Sequence, residues 1–327
     1  MAISVKRMTE SPIIHPHMDD RMGDNICNPS VMRVPDWVPN RLGRYYLYFS
    51  HHKGHCIRMA QADALTGPWT MYEPGVLDIA ETGFPTEDPP DPPLDQQPPW
   101  AAQMKGGYLY AHIASPDVHI REEDQTILMY FHGLLPNGDQ ATRLALSKDG
   151  LEFQVLEPML GPPYFRISRH ATGFFTTGWG GVLLRSDAWE GPFEQGPDLV
   201  PFDDKGGLGD GFRHGETFIT GDTLHLLYHR MGDRPERILH ATVNMEGDWR
   251  RWTASEPVTL LEPELDWEGA DLPLQISTMG TETTRVRELR DPCVFIDDDG
   301  AAYLFYCGAG ESGVGVGRLE GLVCRAT

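Results

Sequence analysis

The sequence contains no apolar run approaching the roughly 18 residues of a membrane span, so no transmembrane helix is expected. Its first residues, MAISVKRMTESPIIHPHMDD, lack the continuous apolar core of an export signal, which gives the expectation of a cytoplasmic protein. Cysteine is scarce. The five at positions 27, 56, 293, 307 and 324 are odd in number and never form a Cys-x-x-Cys pair, which argues against a disulfide scaffold or a cysteine-based structural zinc site. They read as reduced, buried thiols. Positive charge is also in short supply, with 27 Lys and Arg against 48 Asp and Glu and a formal charge of -21, which disfavours a nucleic-acid or anionic-lipid partner. The glycine-rich GAGESGVGVG near the end lacks the Lys-Ser/Thr of a phosphate loop.

Sustained helical periodicity is missing too, and in its place stand short alternating strands separated by 35 Gly and 27 Pro. Five segments repeat one plan. Their second strands read RYYLYFSHHKG, TILMYFHG, TGFFTTGWG, TLHLLYHRMGD and AAYLFYCGAGESG, each followed by an apolar third strand such as CIRMAQA or TRLALS. Turns of the type LTGPW, WEGPF and EGDW recur before the fourth strand. Self-similarity of this kind marks a repeated supersecondary unit. Five four-stranded units closed radially give an all-β, five-bladed β-propeller occupying residues 1–327 as one domain. Uneven spacing of the units places insertions at about 75–107, which is proline-dense, and about 257–288, which contains LDWEGADLPLQ. Either insertion could also carry a contact between two copies of the chain.

In a propeller the innermost strands surround the axis, and the residues at their entrances converge. The entrances here are DNICNPSVM, ASPDVHI, PYFRISRH, FRHGETFI and LRDPCVFIDDDG. They bring forward Asn25, Asn28, Asp117, His119, Arg166, His170, His214, Glu216, Arg290 and Asp291, more ionisable groups than core strands require. Trp37, Trp179 and Trp267 are candidate stacking platforms for a ligand ring, whereas Trp69 and Trp252 read as core. The SHHKGH segment supplies His52 at the rim, and Glu311 sits in the glycine-rich hairpin.

The segments YYLYFSHHKGHCIRMAQADALTGPW, SPDV and RDPCVFIDDDGAAYLFY resemble the five-bladed propeller glycosidases, above all glycoside hydrolase family 43, with kinship to families 32, 62, 117 and 130. The resemblance implies hydrolysis by a water-activating Asp, a second Asp that holds geometry, and a Glu that protonates the leaving group, the two catalytic carboxyls being far enough apart to admit water. It also implies a sugar ligand and a calcium-class divalent ion near the axis. Carried over by position, it nominates Asp291 of RDP and Asp117 of SPDV as base and modulator in either order, and Glu268 or Glu216 as acid. Asn25, His52, His119, Arg166, His214, Arg290, Glu311 and Trp267 are the corresponding sugar-binding candidates. Two departures stand out: Asn28 of NPS occupies the position of the family's first-blade Asp, and Asp117 follows its proline instead of preceding it. The expectation is a glycosidase acting on a plant or algal oligosaccharide or polysaccharide end. The alternatives are a carbohydrate-binding propeller without catalysis, which Asn28 favours, and a uronate-directed lyase built on His, Tyr and Arg.

Overall fold

The computed structural model describes residues 3–97, 109–200 and 211–322, and within them the chain is a five-bladed β-propeller. The end of the first insertion and Cys324 lie outside the described residues. The inner strands are Cys27–Arg33, Ile113–Arg121, Ser168–His170, Gly211–Thr220 and Leu289–Ile296, in blades 1 to 5. Each is followed outward by antiparallel partners in chain order. Blade 5 is the exception: its outermost strand is Ser4–Arg7, which pairs with Val314–Glu320, so residues from the two ends of the chain close the ring. The strand Val258–Leu261 is the outer strand of blade 4, so the second insertion proper begins after it.

The repeated second strands are buried because they lie between neighbouring blades. Tyr46, Leu47, Tyr48, Leu128, Met129, Tyr130, Leu226, Leu227 and Tyr228 have no exposed surface. Trp69 and Trp252 close the cores of blades 1 and 4, as their turn context suggests. Cys27, Cys56, Cys293 and Cys307 are free thiols. Among the described residues no helix is long and apolar enough to cross a membrane.

One local device decides where the site residues point. In blades 1, 2 and 5 the inner strand carries a bulge in which two residues face one on the neighbouring strand. The first of the two is followed by proline and adopts left-handed backbone: Asn28 at φ 55°, Ser115 at 55° and Asp291 at 50°. Asn and Asp visit this region more readily than other non-glycine residues. Beyond the bulge, Ser30, Asp117 and Cys293 pair with Tyr48, Tyr130 and Phe305, and Glu216 of blade 4 pairs with the corresponding Leu227. The inner strands therefore carry two tiers of residues. Asn28, Ser115 and Asp291 form one; Ser30, Asp117, Glu216 and Cys293 form the other, about two residues and hence about 7 Å further along the strands.

Candidate functional site

The first tier opens into a cavity of about 580 Å³ at the entrance end of the inner strands, here called the upper pocket. Asn28, His52, Tyr110, His112, Tyr164, Trp179, Arg213, His214, Asp291 and Glu311 contribute to its wall, as do Met279 and Gly280 of the second insertion. Asp291 is 4% exposed. Its Oδ2 accepts the backbone N–H of Asn28 at 3.1 Å, and its Oδ1 lies 3.4 Å from His214 Nδ1 and 3.3 Å from His229 Nε2. Burial alone would raise its pKa. The hydrogen bonds from His214 and His229 outweigh burial and hold the carboxyl well below the usual range, so Asp291 is ionised.

His229 is in turn held from behind by Glu236, at 2.6 Å from its Nδ1, and Glu236 is held by Arg213. Burial pushes the His214 imidazole down to about 4, so it is neutral near pH 7. The Arg166 guanidinium can only donate, and its Nε donates to His214 Nε2 at 3.4 Å. This fixes His214 as the Nδ1–H tautomer facing Asp291. The second carboxylate of the pocket, Glu311, accepts from Arg290 Nη1 at 2.9 Å and from the Asn25 amide, with His52 Nδ1 at 3.3 Å. Burial raises its pKa, but His52 and Arg290 outweigh that effect and keep it ionised.

At the opposite end of the axis the second tier opens into a lower pocket of about 680 Å³. Asp117 and Glu216 line it together with His119, Ser30, Thr217 and Cys293. Asp117 accepts from His119 at 2.8 Å and from the Ile167 N–H at 2.8 Å, and Arg166 Nη1 lies 3.8 Å away. These contacts overcome burial and keep it ionised. Glu216 has weaker compensation: burial and the neighbouring Asp117 charge win over Arg166, and its pKa is pushed up to about 8. Arg166 is completely buried between the two ends, bonded to the carbonyls of Pro29 and Pro116, and lines neither cavity.

The structure thus corrects several sequence-based expectations. Asp117 and Glu216 do not meet Asp291 in one pocket, because they stand one tier lower, Asp117 beyond its bulge and Glu216 opposite Leu227; His119 goes with them. Glu268 faces neither cavity. It is wholly buried between the second insertion and blade 5, gripped by Arg7 Nε and Nη2 at 2.8 and 2.9 Å and by the Tyr306 hydroxyl at 2.8 Å. Trp267 lies beside it against Tyr306, on Gly308 and Gly315, where an added Cβ would come within 2.3 and 2.5 Å of the indole. Those two glycines make a seat for a packing residue, not a platform for a sugar. Trp37 borders the lower pocket and donates to Glu122. Asn25 and Arg290 stand behind the pocket wall as supports of Glu311. His52, His214, Glu311, Asp291 and Trp179 do reach the upper pocket.

Tyr164, Arg213, His229 and Glu236 escaped the sequence reading. A signal for His229 exists: in LYFS, MYFH, LLYH and LFYC the residue after the aromatic positions, Ser50, His132, His229 and Cys307, pairs with the inner strand at the entrance end.

The axial donors do not suit a calcium ion. Calcium takes six to eight oxygens, and of His214, His229 and Asp291, whose donor atoms lie within 4.8 Å of one another, only Asp291 supplies any. The imidazoles are engaged as well. His214 uses both ring nitrogens, and His229 Nε2 either accepts the Asp291 N–H at 3.2 Å or, when protonated, donates to the carboxylate.

No family model matches the sequence. "Uncharacterized protein R118" of Acanthamoeba polyphaga mimivirus is 34% identical over 313 residues, covering 90% of this chain and 83% of that protein. Among solved structures, a thermostable family-43 glycoside hydrolase matches with a TM-score of 0.56 at 14% identity, covering 94% of this chain and 97% of that one. A family-43 β-xylosidase/α-arabinofuranosidase from a compost microbial metagenome, solved with xylotriose in calcium-free form, gives 0.54 at 12% identity, with 98% and 96% covered. An N-acetylgalactosamine deacetylase from F. plautii, in complex with blood group B trisaccharide, gives 0.52 at 12%, with 96% and 94% covered. At these identities the likeness is one of fold.

Proposed function

The chain belongs to one family with the mimivirus protein and has the propeller fold of the family-43 glycoside hydrolases, and on that premise we propose that it is a glycan-directed hydrolase working in the upper pocket. The observation that carries this reading is the convergence, at one end of the axis, of an ionised and almost wholly buried carboxylate with neutral imidazole, phenol and indole groups. Tyr110, Tyr164 and Trp179 give the apolar faces on which a sugar ring stacks; Asn28 and His112 give polar atoms for its hydroxyls. Met279 and Gly280 bring the second insertion into the pocket lining, and a loop standing there suits the terminal residue of an oligosaccharide or polysaccharide better than the middle of a long chain.

Asp291 is the group that orients and deprotonates the attacking water. Its negative charge is fixed, its Oδ2 has accepting capacity beyond the Asn28 N–H, and His214 and His229 hold the carboxylate in place. The family-43 pairing of base and carboxylic acid is not assembled here. The one carboxyl among the inner-strand residues with a pKa near neutrality, Glu216, is in the lower pocket, and Glu311 is ionised. Neither Asp291 nor Glu311 can therefore protonate the leaving group, and the remaining carboxyl of the pocket, Asp139, is an exposed residue of the blade 2 hairpin.

That same lack, with Asn28 at the first-blade position, favours a second reading, a binding propeller without catalysis. Purified protein is to be tested on a panel of neutral and acidic oligosaccharides, following new reducing ends and ultraviolet absorbance of unsaturated products, with Asp291→Asn alongside. Reducing ends that vanish in the variant support the hydrolase. Ultraviolet absorbance would replace it with a lyase, and sugar binding without turnover would replace it with the binding module.

A further inference from the structure

A second cluster in the wall of the upper pocket has a different character from the axial histidines. Cys27, His52 and Glu311 each offer one donor atom, and the three atoms lie within 4.8 Å of one another. They come from three separate places: Cys27 opens the inner strand of blade 1, His52 is in the turn after its second strand, and Glu311 is in the hairpin of blade 5. Their surroundings are built to hold them. Arg290 takes Oε1 of Glu311, which leaves Oε2 turned to the cluster. The Asn25 amide touches that oxygen through its nitrogen, and through its own oxygen accepts the His52 backbone N–H at 2.9 Å, so one side chain fixes two members. Supports of this kind orient metal ligands.

The hydrogen bonding is incomplete where the axial cluster's is complete. His52 Nδ1 is cut off from solvent and makes no hydrogen bond of acceptable geometry, although Glu311 lies 3.3 Å away. Cys27 Sγ hydrogen-bonds to Ser50, 3.5 Å to its carbonyl and 3.3 Å to its hydroxyl, so the unsatisfied member of the cluster is His52. His52 and Glu311 both face the cavity, which leaves a side open to a water or a sugar oxygen.

We propose that Cys27, His52 and Glu311 form a binding site for a zinc-class divalent cation in the wall of the upper pocket. A thiolate, an imidazole and a carboxylate are the donor types zinc takes, and three protein ligands with a fourth position open is the pattern of a catalytic site. On binding, the thiol S–H bond breaks, a sulfur–metal bond forms and the proton leaves to solvent. Without a cation the thiol stays protonated: burial and the nearby charges of Glu311 and Asp291 push the Cys27 pKa well up. In its role the site rests on the hydrolase reading, since a Lewis acid beside Asp291 would supply the leaving-group assistance that neither Asp291 nor Glu311 gives there. Its existence does not depend on that reading.

The test is a titration of the intact, chelator-treated protein with Co²⁺, reading the near-ultraviolet thiolate-to-cobalt band and the visible bands of the bound ion. The expected result is one equivalent of cobalt with a thiolate band, displaced by Zn²⁺. Cys27→Ser should abolish the band, His52→Ala and Glu311→Gln should each weaken binding at least about tenfold, and His214→Ala should leave the band in place. Circular dichroism shows whether each variant is folded; should Cys27→Ser fail to fold, His52→Ala and Glu311→Gln still decide the matter. No bound cobalt, cobalt without a thiolate band, or a band that persists in folded Cys27→Ser would overturn the site. These readouts use no sugar, so a metal site without hydrolysis and hydrolysis without a metal site are separate results.

Discussion

The two pockets at the ends of the propeller axis are made from the same inner strands and yet differ in protonation. The upper pocket has Asp291 and Glu311, both ionised, each satisfied by imidazoles or a guanidinium. The lower pocket has one ionised acid, Asp117, and one, Glu216, that keeps its proton to about pH 8. Burial is nearly the same for Asp291, Asp117 and Glu216, at 4%, 5% and 5% exposure. What separates them is the charge of the donors, since Glu216 has the backbone N–H groups of Thr217 and Val294 but no charged hydrogen-bond partner. Two carboxyls share Arg166 at the lower end, and Asp117 also has His119 and the Ile167 N–H, so the deficit falls on Glu216. A pair of acids is therefore not a catalytic pair by virtue of proximity to the axis; the tier and the donors decide what each can do.

The strongest way to break the comparison is to neutralise one end. Asp291→Asn keeps a residue type that tolerates left-handed backbone, so the fold should persist by circular dichroism while the rate of sugar hydrolysis falls about 10²–10⁴-fold. Hydrolysis that survives would move the chemistry away from Asp291. Next comes the shared cation. Arg166→Met strands the Asp117 charge in a buried setting and should cost about 3–5 kcal/mol in chemical denaturation; a smaller loss would mean that His119 alone sustains Asp117. Glu268→Gln should cost on the order of 3 kcal/mol by breaking the Arg7 grip and leave turnover per folded molecule unchanged, since the residue faces neither pocket.

A finer test uses pH. In the native chain Glu216 keeps its proton between its ordinary pKa of 4.5 and about 8, whereas the unfolded chain has released it. Through Glu216, stability therefore falls as pH rises across that window. Asp117 works in the opposite sense, but below its ordinary value of 3.8 and so outside it. The neutral buried His112, His214 and His225 act in the opposite sense up to about pH 6.5, so the contribution of Glu216 is read above it: Glu216→Gln should make the slope of the urea midpoint between pH 6.5 and 8 less negative, and an unchanged slope would place the titration elsewhere. The smallest effect is expected for Glu122→Gln at the rim of the lower pocket, within about 0.5 kcal/mol in stability and with hydrolysis unaltered.

Most of the fold was legible because the repeated second strands and G-P-W type turns are local signals, each written in one short segment. The site was legible only in part. Asp291 could be found because its Arg-Asp-Pro context coincides with the bulge that aims it upward. Asp117 could not be placed, because whether an acid stands before or after the bulge proline changes its tier, and that depends on strand register. Glu268 looked like a loop acid over the pocket, and no feature of DWEGAD reveals that Arg7, some 260 residues earlier, holds it. Glu236 and Arg213 were hidden for the same reason: they act on Asp291 through His229, across strands.

The strand Ser4–Arg7 on the rim of blade 5 also has a consequence for how this molecule comes into being. Ser4 pairs with Glu320 and Arg7 with Gly317, so the last blade is completed by segments on opposite sides of the other four blades in the sequence. Contacts across so large a sequence separation demand that all the intervening blades be made before the circle shuts, and they slow folding relative to the local hairpins that build each blade. The nascent chain should therefore pass through an open arc of formed blades with one unpaired edge, and it is this arc, more than the finished ring, that a chaperone or an aggregating neighbour would meet.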